Sequence, residues 1–480
     1  MQLDEGLSRG ENVRTGLTYD DVVIVPRRSS VRSRADVSTT SRLTGGVPLE
    51  IPIVSANMDT VTTAPMAIAM AQLGGIGAIH RFLTVEAQAE QVRKVKRFLN
   101  FIIEDPYRVG PQVTVADASA EAAGRNVTGL LVTDDRDRPL GILTARDVRA
   151  AQPDTSITNV MTPAERLVTA PAGVSLERAR ELMHQHRIEK LPLTDAHGRL
   201  AGLITLRDLD LRDRYPKATR DERGRLRVAA AVGVRGDYMT RAEALIEAEV
   251  DALVLDIAHG HAEHALDATT ELKKTWPEAQ VVAGNVATAG GVADLAAAGA
   301  DGIKVGIGPG FACSTRLVAG VGVPQLTAVL DCAEVARRLD VPLIADGGIR
   351  RPGDVAKAIG AGASTVMVGS LFAGRSESPG DVVRRKGTLL KVYRGMASRS
   401  AAAARLSLEG RSDALDQYVP EGEEIEIPLR GPVAEITNEL VAGLRSGMSY
   451  VDATTVAEMW DRTEFVRQTE AGRRESRPGE

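Results

Sequence analysis

The chain has 480 residues, enough for a large enzyme core plus a smaller module. A net charge of −5 gives no basic footprint for nucleic acid, and 3% aromatics give no stacking platform for single strands. Two cysteines, Cys313 and Cys332, make neither a disulfide framework nor a structural zinc site.

The first segment, MQLDEGLSRGENVRTG, is polar, and no run approaches the ~18 apolar residues of a membrane span. A cytoplasmic location without a membrane partner is expected. Short apolar runs then recur. IPIVSANM (51–58) and GIGAIH (75–80) come first. After a gap follow RVAAAVGV (227–234), ALVLDIAHG (252–260), QVVAGNV (280–286), GIKVGIG (302–308), PLIADGG (342–348) and STVMVGS (364–370). Alanine-rich stretches at helical spacing, such as TRAEALIEAEV and GGVADLAAAGA, separate them. Continuous apolar strands alternating with helices mean a parallel sheet covered by helices. Eight such units predict an α/β fold, a (β/α)8 TIM barrel. A doubly wound sheet fits less well, because glycine and polar clusters follow many strands rather than one switch point.

The gap after the second strand holds a repeat. VTGLLVTDDRDRPLGILTARDV (127–148) aligns without gaps onto IEKLPLTDAHGRLAGLITLRDL (188–209). Each copy reads strand, turn, strand, then a T-x-R-D helix start. The pair resembles tandem CBS modules, which predicts an insert over 105–215 between barrel segments 1–104 and 216–480. That resemblance implies that Thr144, Asp147, Thr205 and Asp208 contact adenine or guanine nucleotides. The same residues would also serve as plain helix caps, a hydroxyl at the N-cap and a carboxylate three residues on. The helix of the first copy, DASAEAAGRN, reads shorter than SLERARELMHQHR, which predicts a degraded first cleft.

The segments just past the barrel strands are polar and glycine-rich: SANMDT, DIAHGH, GNVAT, GIGPGFACST, DGGI and VGSLFAGR. Barrel chemistry occupies these strand ends, where glycines let backbone N–H groups approach anionic oxygen. A lone cysteine most often packs as a small hydrophobe. Within G-I-G-P-G-x-x-C-S-T-R, however, amide dipoles and the Thr315 hydroxyl favour Cys313 as a nucleophile.

GIGPGFACSTRLVAGVGVPQ closely resembles the catalytic loop of the IMP dehydrogenase/GMP reductase family. SANMDTVT, DIAHGHAEH, AGNVAT, IADGGIR, VMVGS and YRGMAS match that family in the same order, so the resemblance spans nearly the whole chain. It implies a homotetramer, or an octamer, that binds GMP or IMP. Cys313 would add to purine C2, with a nicotinamide stacked nearby. Carried over by position, Met58, Ser314, Asp346, Gly348, Gly369, Ser370, Tyr393, Gly395 and Met396 hold the nucleotide. Among these, Asp346 would take the ribose, and Gly348, Gly369, Ser370 and Tyr393 the phosphate. Asp256, Ala258, Asn285, Gly306 and Gly308 would lie along the dinucleotide. Carbonyls of Gly308, Gly310 and Cys313 would bind K+. Two residues depart from the family pattern. Phe311 stands where a phosphate-binding serine is usual, and Ala397 replaces the glycine of G-M-G.

Both branches of the family pass through a bond between cysteine and purine. The dehydrogenase hydrolyses that adduct with the help of an Arg-Tyr pair on a flap. Here the flap reads SRSAAAARLSLEGRSDALDQYVPEG (398–422), in which Arg405 precedes Leu and Arg411 precedes Ser. A general base contributes about 10²- to 10⁴-fold. Its loss argues for the reductase: NADPH-dependent deamination of GMP to IMP and ammonia, with Thr315 and Glu421 moving the proton. NADPH is implied by the branch, and no local motif for a 2′-phosphate accompanies it. The insert and VAGVGVPQ lean instead towards an IMP dehydrogenase using NAD. A catalytically weak purine-nucleotide sensor is a third reading.

Overall fold

The computed structural model describes residues 13–98, 103, 106–125, 127–408, 415–416 and 418–476, the side chains of 207–208 and 211–212 excepted. The eight apolar runs form eight parallel strands: β1 (Ile53–Ser55), β2 (Ile76–Ile79), β3 (Ala229–Val232), β4 (Ala252–Leu255), β5 (Val281–Val286), β6 (Gly302–Val305), β7 (Leu343–Asp346) and β8 (Thr365–Val368). They close into a barrel in chain order, with β8 pairing to β1 through Val366 and Ile53. The expected (β/α)8 architecture is therefore present. Its covering helices are α1 (Ala64–Gln72), α2 (Val85–Arg97), α3 (Tyr238–Glu247), α4 (Glu263–Thr275), α5 (Ala289–Ala297), α6 (Gln325–Arg338), α7 (Pro352–Gly360) and α8 (Val433–Tyr450). Among the described residues no helix is long and apolar enough to cross a membrane.

The pleat explains why these strands read as unbroken apolar runs. Val54, Ala229, Val254 and Val282 fill the barrel interior, whereas Ile53, Ala283 and Val305 face outward against the helices. A hairpin with no clear signal in the sequence, Ser41–Thr44 with Val47–Leu49, also feeds this interior. Its Leu43, Val47 and Leu49 join the inner cluster at the N-terminal end of the strands. The fit is close, since a Cβ on Gly302 would lie 2.7 Å from the Leu43 carbonyl.

The chain divides into two compact units, the barrel unit with 217–221 and 226–480 in its second part, and an insert of 97–216 with 222–225. Within the insert the sequence repeat is reproduced bond for bond. Gly129–Thr133 pairs antiparallel with Pro139–Thr144, and Lys190–Thr194 with Leu200–Thr205. Asp134 accepts from the Arg136 and Arg138 amides at 2.9 and 2.8 Å; Asp195 accepts from His197 and Arg199 at 2.8 and 2.9 Å. Asp137 and Gly198 take the same left-handed turn position, at φ 59° and 75°. In the first copy Asp147 accepts from the Thr144 amide and hydroxyl at 2.8 and 2.7 Å, a capping box. Thr205 ends the matching strand of the second copy, and the side chain of Asp208 lies outside the described residues. The expected shortening of the first helix does not hold. Val115–Gly124 has ten residues against eleven in Leu176–His186. Thr114 caps it with Asp117, so the helix begins upstream of the stretch that looked helical.

A buried ion cluster closes the barrel where the chain leaves it and returns. Asp251 Oδ2 accepts from Lys96 Nζ at 2.6 Å and from the Val228 amide at 2.8 Å. Lys96 also donates to Asp221 at 3.1 Å, and Arg227 lies 3.6 Å from Asp251. These side chains are nearly inaccessible, so removing one charge leaves its partners under-compensated. Asp251→Ala is expected to destabilise the barrel by about 3–5 kcal/mol, read as a lower urea midpoint.

Candidate active site

The C-terminal strand ends open into a cavity of about 960 Å³, room for a nucleotide and the reactive part of a second. Every barrel residue expected above for catalysis, nucleotide, dinucleotide or cation lines it, except Ser314, which is buried under the loop. The four residues expected in the insert belong to the other unit.

Cys313 is exposed, and its Sγ–H donates to Thr315 Oγ1 at 3.2 Å. Cys332 is its opposite: buried in α6, its thiol is pushed up to about 12 by desolvation. The Cys313 loop is held from two sides. An antiparallel sheet of β9 (Val382–Arg385), β10 (Thr388–Arg394) and β11 (Glu424–Pro428) stands beside it. The segment preceding β11 pairs with the loop: the Ser314 amide donates to the Glu421 carbonyl at 2.9 Å, and the Glu423 amide to the Ala312 carbonyl at 3.0 Å. The segment following β10 pairs with the other edge, through Glu421 N–H to Ala397 (2.9 Å) and Gly395 N–H to Glu423 (3.0 Å). Tyr418 donates its hydroxyl to the same Ala397 carbonyl at 3.1 Å. Three backbones stack here because two residues lack side chains. A Cβ on Gly395 would lie 2.6 Å from the Ala312 carbonyl, and one on Gly422 would lie 2.9 Å from the Ser398 amide.

At the floor, Asn285 donates to Asp346 Oδ2 at 2.9 Å and to the Gly306 carbonyl at 2.7 Å. Lys304 on β6, which sequence reasoning missed, donates to Asp346 Oδ2 at 2.8 Å and also to Asn285 Oδ1. A lysine inside an apolar strand run was the available signal, since a buried ammonium needs an acid. Gln325 was missed as well; its Nε2 donates to the Val305 and Asp346 carbonyls at 2.9 and 3.1 Å.

On the β7–β8 side, Gly348, Gly369 and Ser370 face the cavity beside Tyr393. Tyr393 is buried, its hydroxyl directed at Met58 Sδ at 3.6 Å. Burial, with Asp346 and Cys313 close by, pushes that phenol well above its usual range. The Phe311 ring, 58% exposed, lies 6.4 Å from the Tyr393 ring. On the β2–β4 side, Arg81 Nε donates to Asp256 Oδ2 at 3.0 Å. The neighbouring His80 is lowered to about 4 by burial, and its Nδ1 accepts the Phe82 amide at 3.1 Å. Arg405 and Tyr418 both line the cavity too, although they are far from adjacent in the chain.

Among the described residues no cluster of three or more His, Cys, Asp or Glu could hold a metal ion. Carbonyls such as those of Gly308, Gly310 and Cys313 are donors that suit K+. The Gly310 carbonyl also accepts the Cys313 amide at 3.1 Å, which leaves one lone pair.

A family model described as "IMP dehydrogenase / GMP reductase domain" matches residues 16–479. The inosine-5′-monophosphate dehydrogenase of Nitrosopumilus maritimus is 47% identical over 469 residues, covering 97% of this chain and 98% of that one. The Bacillus subtilis inosine-5′-monophosphate dehydrogenase is 47% identical over 468 residues, covering 97% and 96%. Among solved structures, a cysteine-to-alanine GMP reductase of Trypanosoma brucei in complex with guanosine 5′-monophosphate superposes with a TM-score of 0.92. It is 45% identical and covers 99% of this chain and 100% of its own. A GMP reductase of Trypanosoma brucei in complex with guanosine 5′-triphosphate gives a TM-score of 0.82 at 42% identity, covering 96% of this chain and 99% of its own.

The contrast between the two thiols is directly measurable. At about pH 8 a disulfide reagent should label one thiol of the native protein, none in Cys313→Ala, and both in the denatured wild type. Gly422→Val should detach the flap from the loop and change the rate of the native reaction; an unchanged rate would mean that the stacked backbones do not position Cys313.

Proposed function

The chain belongs to the IMP dehydrogenase/GMP reductase family, and from that membership we propose that it is a GMP reductase, converting GMP to IMP and ammonia with NADPH. One observation carries the choice of branch. The flap has no adjacent Arg-Tyr pair, yet it docks the backbone of Glu421 against the loop of Cys313 and Thr315. In this reading Cys313 sulfur bonds to purine C2. The thiol proton passes through Thr315 to Glu421 and on to the departing amine, which leaves as ammonia. Asp346, oriented by Lys304 and Asn285, holds the ribose; Gly348, Gly369, Ser370 and Tyr393 hold the phosphate. Asp256, Ala258, Asn285, Gly306 and Gly308 receive the dinucleotide, which supplies the hydride that releases IMP. The cavity volume supports a nucleotide beside the reactive part of a second.

The twin Asp turns and the shared T-x-R-D starts support a tandem CBS reading of 105–215. Adenine or guanine nucleotides are its proposed ligands, with K+ proposed at the carbonyls of Gly308, Gly310 and Cys313.

A second reading, IMP dehydrogenase with NAD, is favoured by the names of relatives at 47% identity and by Arg405 and Tyr418 sharing the cavity. Nicotinamide absorbance separates the two. GMP-dependent NADPH oxidation should greatly exceed IMP-dependent NAD reduction, and Cys313→Ala should abolish both. The opposite ratio overturns the reductase reading. Retained nucleotide binding without turnover of either kind would leave only a sensor.

A further inference from the structure

The cavity carries a second charged region, across the barrel mouth from Cys313 and the phosphate glycines. Arg81 follows β2 and Arg235 follows β3, and both line the cavity. Arg81 is tethered through Nε to Asp256 at 3.0 Å, and among the described residues its two Nη groups donate no hydrogen bond to a carboxylate. Nη1 lies by the loop after β3. A Cβ built on Gly233 would lie 3.6 Å from Arg81 Nη1 and 3.6 Å from the Arg235 carbonyl, so the Arg81 guanidinium sits against the backbone that carries Arg235. Arg235 is exposed and forms no ion pair among the described residues. Nearby acids are engaged elsewhere: Asp237 with Arg241 at 2.6 Å, and Asp256 with Arg81. Two arginines and one carboxylate already engaged thus line this side of the cavity, a charge balance suited to a multi-oxygen anion.

We propose that Arg81 and Arg235 bind a phosphate of the nicotinamide dinucleotide, and that Arg235 reads the 2′-phosphate and so selects the phosphorylated cofactor. The inference rests on the reading that this cavity takes such a dinucleotide, in either reaction direction. A phosphate monoester is close to dianionic at neutral pH and presents three free oxygens, enough for two guanidinium forks. Each phosphorus of the pyrophosphate linkage carries a single charge and two free oxygens. The exposure of Arg235 at the cavity rim also suits a group at the end of the ligand rather than the linkage at its middle.

Fluorescence titration of the full chain with NADPH and NADH tests this without reference to reaction direction. The wild type should prefer NADPH, and 2′,5′-ADP should compete for it. Arg235→Ala should weaken NADPH by about 10- to 100-fold and leave NADH within about two-fold. Arg235→Glu should weaken NADPH further, and both variants should bind GMP as the wild type does, which shows that they fold. Equal loss for both dinucleotides would assign the arginines to the pyrophosphate and overturn the selectivity, as would no loss at all. A wild type that binds neither dinucleotide would sink the underlying enzyme reading along with the inference.

Discussion

One buried ammonium group holds the mouth of the barrel together. Lys304 is 3% exposed, and it reaches Asp346 at the end of β7 and Asn285 on β5. Either ion alone would lose several kcal/mol of hydration on burial. Together, with the Asn285 amide completing the triangle, they compensate each other and lock three adjacent strand ends. That rigidity permits an unusually close backbone approach next to it. A Cβ on Gly306, which sits at φ 151°, would lie 2.1 Å from the Asp346 carbonyl. The loop carrying Cys313 departs from that point, so the thiol inherits its position from the ion pair beneath it.

The other side of the thiol is set by the flap. In the proposed reading the Cys313 sulfur would form the same bond in either branch of the family, and the fate of the adduct would depend on the groups brought over it. Arg405 and Tyr418 share the cavity, which at first sight restores the missing pair. The bonding argues otherwise. The Tyr418 hydroxyl donates to the Ala397 carbonyl, and burial raises its pKa against the opposing pull of Arg405, which makes the phenolate hard to form at neutral pH. Tyr418 acts as a strut under Glu421, whose own amide meets the same carbonyl. This supports proton delivery to ammonia over activation of water.

The barrel was legible because both faces of its strands are buried, so each strand announces itself as an apolar run ending in glycine and polar residues. The repeat in the insert was legible for a related reason: Asp134 and Asp195 close identical turns, and turn chemistry leaves little choice of residue. Lys304, Gln325 and the hairpin of Leu43, Val47 and Leu49 were not legible. Their roles depend on partners remote in sequence, and a single lysine or a short apolar triplet carries no period. The first insert helix starts earlier than its sequence suggests because its cap, Thr114, precedes the alanine-rich stretch that signals it. The placement of Arg81 beside the loop of Arg235 belongs to the same class, since barrel closure alone makes β2 and β3 neighbours across the insert.

Phe311 is the residue of the site that fits the family pattern least, and its energetics can be weighed. Replacing a serine donor to a phosphate oxygen forfeits about 1.5–3 kcal/mol. In the proposed reading, covering a phenyl ring that is 58% exposed recovers roughly 1–2 kcal/mol when a nucleotide settles beside it. The amides of the Gly348 and Gly369 loops, which no side-chain change removes, would stay available for the anion. The net loss of phosphate affinity would then be about 1 kcal/mol, less than tenfold. In exchange the site gains an apolar wall two residues from the thiol, packed towards Tyr393. A dehydrogenase must admit water to its sulfur adduct, whereas a reductase must keep water away until the hydride arrives. An aromatic wall at Phe311 suits the second requirement, and it points to the same branch as the flap by an independent physical route.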